Sequence, residues 1–200
     1  MKIGFIFECG PEGADKKVCE YLARKIRPEA LPVSRTLDNK PKLIQDCGKV
    51  AARLLEDGCE RVLIIWDLRP AWPTGKKPCR KKEQDAVKDS LQKAGITNRP
   101  VFLVCIEQEL ESWLLADEQK ISAYLSTKNH TYRAQRVSKP DQVLNPKAVM
   151  IKHFREARNW SYEDRIHAIQ VLKVSETNWK RLRRSPTFTR FEAKLCTPIT

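Results

Sequence analysis

The run Arg61-Val62-Leu63-Ile64-Ile65-Trp66 is continuously apolar after its first residue and stops abruptly on Asp67. A strand without polar alternation suits burial on both faces, as in a parallel sheet covered by helices on either side. Lys2 to Phe7 and Pro100 to Ile106 read as further strands, and Leu31 to Thr36 can form a second, shorter one. The segments between them have helical spacing. Val18, Cys19, Leu22 and Ile26 recur within 14–26, where Asp15 suits the positive end of the helix dipole and Pro28 ends the helix. Leu43, Cys47, Val50, Ala51 and Leu54 recur within 42–56, with Gly58 as the stop, and a third helix over 83–94 closes on Gly95. Strands alternating with helices predict an α/β fold with a mostly parallel sheet flanked by helices over residues 1–117.

The remainder differs in composition. Residues 118–145 are polar and turn-rich and read as a loop or extended excursion. Helical pattern returns over 147–158, 162–173 and 175–184, so residues 118–200 are expected to form a basic, mainly helical lobe packed on the core. That lobe holds 17 Lys and Arg against 7 Asp and Glu, most of the net charge of +13 carried by the 200 residues. A basic lobe beside an acid-bearing one points to a polyanion, because Lys and Arg release counterions from phosphates.

Several classes fall away. No apolar run reaches the ~18 residues of a membrane span, and Glu8 interrupts the N-terminal apolar stretch too early for a signal peptide. The 7 cysteines include no Cys-x-x-Cys and no Cys/His cluster, which leaves free thiols in a reducing cytoplasm. Dinucleotide, P-loop and serine-hydrolase glycine motifs are absent from the sequence.

Three carboxylates follow expected strands: Glu8, Asp67 and Glu107. Open parallel sheets bind ligands outside the C-terminal ends of their strands, so these acids are expected to converge. Converging carboxylates repel unless a cation sits between them, and Mg²⁺ or Mn²⁺ is the natural occupant. Such an ion supports phosphodiester hydrolysis. Acids also follow strands simply as solvated loop residues. Glu107 and Glu111, four apart, would share one helix face if the helix began at 107, leaving Glu109 toward solvent.

The stretch Glu8-Cys9-Gly10-Pro11-Glu12-Gly13-Ala14-Asp15-Lys16 resembles the opening of Toprim domains, and Ile64-Ile65-Trp66-Asp67 resembles their later acidic strand end. Glu111-Ser112-Trp113-Leu114-Leu115-Ala116-Asp117 is similar to the Glu-Ala-Trp-Leu-Leu-Ala-Asp signature of a small bacterial Toprim-like family, often encoded beside ATPases in phage-defence contexts. Ser185-Pro186-Thr187-Phe188 is similar to that family's ending. The resemblance implies a Toprim-like fold and a Mg²⁺ site with Glu8 as acid/base or ligand and Asp67 as ligand. Toprim enzymes carry Asp-x-Asp, whereas here Arg69 stands in place of the second acid. Either Glu111 or Asp117 supplies the missing ligand, or the site binds phosphate without cutting.

Cations that could meet a nucleic acid fall in three places. Lys16 and Lys17 open the first helix, which attracts phosphate or is merely solvated. Arg69, Lys76, Lys77, Arg80, Lys81 and Lys82 surround Trp72 in a loop that reads as a strand-contacting flap or as a solubilising loop. Arg181, Arg183 and Arg184 form a basic run at a helix end. Trp113 reads as core, and His130, His153 and His167 as surface or packed residues. The sequence therefore favours a metal-dependent nuclease acting on DNA or RNA with an ATPase partner. Against it stand a non-catalytic nucleic-acid-binding or regulatory subunit and an enzyme of small phosphate esters.

Overall fold

A computed structural model of the chain describes all residues except 72, 74, 98, 199 and 200. In chain order it comprises β1 (Lys2–Phe7), α1 (Ala14–Ile26), β2 (Leu31–Thr36), α2 (Lys40–Glu56), β3 (Arg61–Asp67), α3 (Arg80–Lys93) and β4 (Val101–Ile106). Then follow α4 (Glu111–Leu115), α5 (Glu118–Leu125), a 3₁₀ turn (Pro140–Gln142), α6 (Pro146–Arg158), α7 (Asp164–Lys173), α8 (Trp179–Leu182) and α9 (Pro186–Cys196). The four strands pair in the order β2-β1-β3-β4, all parallel. This is the expected α/β sheet flanked by helices, consistent with a Toprim-like arrangement.

The strand order explains where a ligand would sit. From β1 the chain steps one way to β2, then returns past β1 to β3 and continues outward to β4. The direction reverses between β1 and β3, and at such a switch point an open sheet leaves a crevice beyond its C-terminal edge. Glu8 directly follows β1, and Asp67 is the last residue of β3.

Side-chain alternation divides the core between the two faces. Phe5, Phe7, Leu63 and Ile65 face one cluster, with α1 and most of the C-terminal helices. Ile6, Val62, Ile64 and Trp66 face the other, with Leu43, Leu54 and Val87 of α2 and α3. Close approach within that second layer requires Gly48. A Cβ there would lie 2.1 Å from the Ser90 carbonyl oxygen, and Ser90 Oγ accepts the Gly48 N–H at 3.1 Å. Gly58 and Gly95 adopt φ of +84° and +73° at the ends of α2 and α3, as their positions as helix stops require.

The C-terminal helices share the first cluster. Trp113 is fully buried, with its ring 5.2 Å from that of Phe191 and 5.6 Å from that of Phe188. Arg61, at the start of β3, donates to the carbonyls of Lys194 and Leu195 at 2.8 Å and of Thr197 at 2.7 Å. A guanidinium there meets the negative end of the α9 dipole and ties it to the sheet.

Two expectations for this half need correction. The polar stretch after 117 contains α5, which buries Ile121 and Leu125 in the core and Lys120 with its ammonium donating to the carbonyls of Leu172 and Ser175. The helix expected over 175–184 is only the single turn α8, and the longer helix begins beyond it, at Pro186. Ser185 caps that helix, accepting the Phe188 N–H at 3.1 Å. Asp141, from the 3₁₀ turn, receives Ser185 Oγ at 2.6 Å and the Thr187 N–H at 2.8 Å. The Ser185-Pro186-Thr187-Phe188 motif is thus a buried capping network. Asp141→Ala strands two buried donors and is expected to cost about 2–6 kcal/mol, at ~1–3 kcal/mol per lost partner, read as a fall in thermal midpoint with the far-ultraviolet spectrum retained.

Candidate functional site

The β1 and β3 ends are held together by a direct bond: the Asp67 backbone N–H donates to Glu8 Oε1 at 3.1 Å. This fixes the Glu8 carboxylate across the switch point. Its other oxygen, Oε2, and Asp67 Oδ1 are both buried and have no hydrogen-bond partner among the described residues. A buried carboxylate oxygen without a donor is costly, so both groups resist ionisation. Burial pushes Glu8 up to about 8, although Lys40 and the Asp67 N–H act against it. Asp67 rises well above the carboxylate range, first through burial and then through the charges of Asp15, Glu8, Glu111 and Glu109.

Those neighbours come from distant segments. Asp15 sits in the first turn of α1, and burial raises it to about 6 while a hydrogen bond from Cys9 opposes the rise. Glu111 opens α4, 4% exposed, and accepts the Tyr162 hydroxyl at 3.2 Å. Burial pushes it up to about 7. Glu109 accepts the backbone N–H of Lys147, at the start of α6, at 3.2 Å, and Lys147 Nζ pairs with Asp164 at 2.8 Å. Lys40 and Glu83 also act on Glu8: the buried Lys40 pairs with the buried Glu83 at 3.5 Å, and Trp66 Nε1 donates to Glu83 at 2.9 Å.

Of the expected carboxylates, Glu8, Asp67 and Glu111 belong to one electrostatic group. Glu107 does not join them: it pairs with Arg80 at 2.5 Å and Arg190 at 3.3 Å. Glu109, expected toward solvent, instead acts on Asp67 and Glu111. The reason is local. Residues 107–110 form a turn before α4, so helical four-residue spacing does not apply between Glu107 and Glu111. Asp117, the other candidate to replace a second Toprim acid, pairs with Arg181 at 3.4 Å. Arg69 is exposed.

The expected nucleic-acid contacts divide likewise. Lys17 pairs with Glu12 at 2.9 Å, and Lys16 donates to the Pro11 carbonyl at 3.3 Å. Lys76, Lys77, Lys81 and Lys82 are exposed, while Trp72, the aromatic of the expected flap, lies outside the described residues. Arg181, Arg183 and Arg184 are engaged by Asp117, Glu192 and Glu118 respectively. Their first role is to hold the C-terminal helices together.

Reading the sequence alone missed Asp15, Glu109, Lys40, Lys147, Tyr162 and Asp164. Asp15 carried a signal, being an acid in the first turn of the helix that leaves Glu8. Tyr162, Lys147 and Asp164 carried none, because only the packing of α6 and α7 over the sheet edge brings them there.

The donor set suits a hard divalent cation. Glu8 Oε2 and Asp67 Oδ1 are oxygen donors without other partners. Among the described residues, no ready-made group of three or more His, Cys, Asp or Glu side chains could hold an ion by itself. Mg²⁺ is usually bound through one or two carboxylates, with water and substrate phosphate completing its shell, so two oxygens at the switch point are chemically sufficient.

Fold and site together define an open parallel α/β protein whose ligand edge is lined by carboxylates. Within that class, the chain belongs to the family described as a domain of unknown function (DUF4276), whose model matches residues 15–196. That match takes in Asp15, Asp67, Glu109 and Glu111 and begins just after Glu8. No curated protein and no solved structure matches the chain.

Proposed function

We propose that the protein is a metal-dependent phosphodiester hydrolase acting on nucleic acid, with Mg²⁺ or Mn²⁺ held by Glu8 and Asp67. The carrying observation is the pair of buried, unpartnered oxygens, one from each strand flanking the switch point. When bound, the cation would polarise a phosphate oxygen and neutralise charge on the departing one. In hydrolysis a water oxygen bonds to phosphorus, the P–O ester bond breaks, and the water proton must pass to a base. As a cation ligand Glu8 would be ionised, so Glu111, which burial pushes up to about 7, is the acid matched to take that proton near neutral pH. The Asp67 N–H keeps the Glu8 carboxylate in place. Glu111, steadied by the Tyr162 hydroxyl, adds negative field that favours cation entry.

The net charge of +13 supports a polyanionic substrate. All seven cysteines are free, and no helix among the described residues is long and apolar enough to cross a membrane. The free thiols favour a reducing, cytoplasmic setting. The resemblance to the phage-defence family adds an ATPase partner to the reading. Purified protein is expected to cut plasmid, single-stranded DNA or RNA with Mg²⁺ or Mn²⁺ and not in EDTA. Intact substrates in every arm, with and without an ATPase partner, would sink the proposal.

Arg69 at the place of the second Toprim acid favours a second reading, a non-catalytic nucleic-acid-binding or regulatory subunit. It is chosen instead if polymer binds tightly while no divalent cation is taken up.

A further inference from the structure

Three adjoining recesses, of about 680, 440 and 390 Å³, lie over the C-terminal half. Lys139 lines the first and second, Arg184 the second and third, and Arg136 the first and third. They therefore form one continuous surface. Glu107 lines the middle recess. It follows Ile106, the residue in register with Asp67 on the neighbouring strand. The surface thus reaches the same C-terminal edge of the sheet as the carboxylates.

Its charge is one-sided. The acids along it are already engaged: Glu107 by Arg80 and Arg190, Glu118 by Arg184, Glu156 by Lys152, and Asp141 by the α9 cap. Arg133, Arg136, Lys139 and Lys180 are exposed, and their side chains make no hydrogen bond or ion pair with any described residue. Three of these four cations lie within seven residues of one another, on the excursion before the 3₁₀ turn. Like charges so close repel, and a chain of regularly spaced negative charges relieves that repulsion while releasing its own counterions. Tyr132, its hydroxyl bonded to His153 Nδ1 at 2.7 Å, adds a fixed aromatic ring in the largest recess.

We propose that this surface is the path of a single-stranded nucleic acid, with Arg133, Arg136, Lys139 and Lys180 on its phosphates and Tyr132 beneath a base. Recesses of this size admit splayed bases, which a duplex keeps in its stack. The proposal rests on the hydrolase reading for its purpose, but binding tests it separately.

The test is fluorescence anisotropy of labelled 20-nucleotide single-stranded DNA and RNA in EDTA, using the full chain. The triple variant Arg136→Glu, Lys139→Glu, Lys180→Glu is compared with Lys49→Glu, Lys88→Glu, Lys93→Glu, an equal charge change at exposed positions on α2 and α3. The groove variant should bind at least tenfold more weakly than wild type. The slope of log affinity against log salt should flatten by about 2, at ~0.7 per lost single-strand phosphate contact. The α2/α3 variant should bind within threefold of wild type. Equal losses in both variants, no loss in the groove variant, or tighter binding of a hairpin duplex than of single strands would overturn the path. Groove-dependent binding without cleavage in Mg²⁺ would leave the path standing and remove the hydrolase. Cleavage with groove-independent binding would do the reverse.

Discussion

Asp67→Asn is expected to abolish cleavage and, in the same molecule, to raise stability. Loss of a carboxylate that seats the cation should lower the Mg²⁺-dependent rate by about 10³-fold or more, ~4 kcal/mol in the barrier, with oligonucleotide binding retained. Stability should move the other way. Asp67 Oδ1 is buried without a partner, and burial together with four neighbouring acids opposes its charge. At pH 8 the folded protein must hold a proton on Asp67 that the unfolded chain releases, and an amide of the same shape needs none. A gain of roughly 1–3 kcal/mol would raise the midpoint at pH 8 in EDTA by ~2–4 °C per kcal/mol. Glu8→Gln should behave alike, less strongly, because it must still accept the Asp67 N–H through its amide oxygen. A variant that loses activity and stability together would mean that Asp67 serves the fold, and the cation-site reading would fail.

The second large effect is the pH dependence of wild-type stability. Glu8 is raised to about 8, Glu111 to about 7 and Asp15 to about 6, and Asp67 is raised well above the carboxylate range. The opposing charges facing them are Lys40 and Lys147. The folded protein therefore keeps protons that the unfolded chain releases above about pH 4 to 4.5. Proton binding then favours the folded state, so stability is greatest below that range and is lost as pH rises through 6, 7 and 8. Without divalent cation the midpoint should fall on the order of 10 °C between pH 5 and pH 8.5, allowing ~1.4 kcal/mol per unit of displacement and strong coupling between the groups. Adding Mg²⁺ or Mn²⁺ should restore the midpoint at pH 8 and do nothing at pH 5, where protons already hold the oxygens. Calorimetry with and without EDTA reads both. A flat profile, or equal stabilisation by cation at both pH values, would contradict the arrangement.

The expected gain in stability on losing Asp67 and the loss of stability with rising pH share one cause. The fold gathers acids at an edge where water is partly excluded. Carboxyls displaced in this way cluster at functional sites.

Much of this edge was legible beforehand, and the legible part has a physical pattern. Continuous apolar runs at Lys2–Phe7 and Arg61–Asp67 form buried strands because nothing polar in them resists two covered faces. Apolar spacing and stop residues set the limits of α1 and α2 within two residues. An acid after such a strand can only emerge at its C-terminal end, so Glu8 and Asp67 were readable as edge residues. Local rules failed where the answer depended on another segment. Glu107 was separated from Glu111 by a turn and drawn off by Arg80 and Arg190. The arginines at 181, 183 and 184 looked free and are held by acids from elsewhere in the chain. Helix α5 is only eight residues long, too few turns for an apolar period to show, and its buried Lys120 is matched by a carbonyl of α7.

The sequence by itself determined the layered α/β class, the acids at the strand ends and the excess of cations in the second half, because each follows from contiguous residues. Only the tertiary structure decided which acids share a field and which cations remain unpaired. Those properties arise between segments far apart in the chain, as where Lys147 meets Glu109 across 38 positions and Tyr162 meets Glu111 across 51. Coulomb interaction and burial depend on distance in space, which spacing along the chain does not encode.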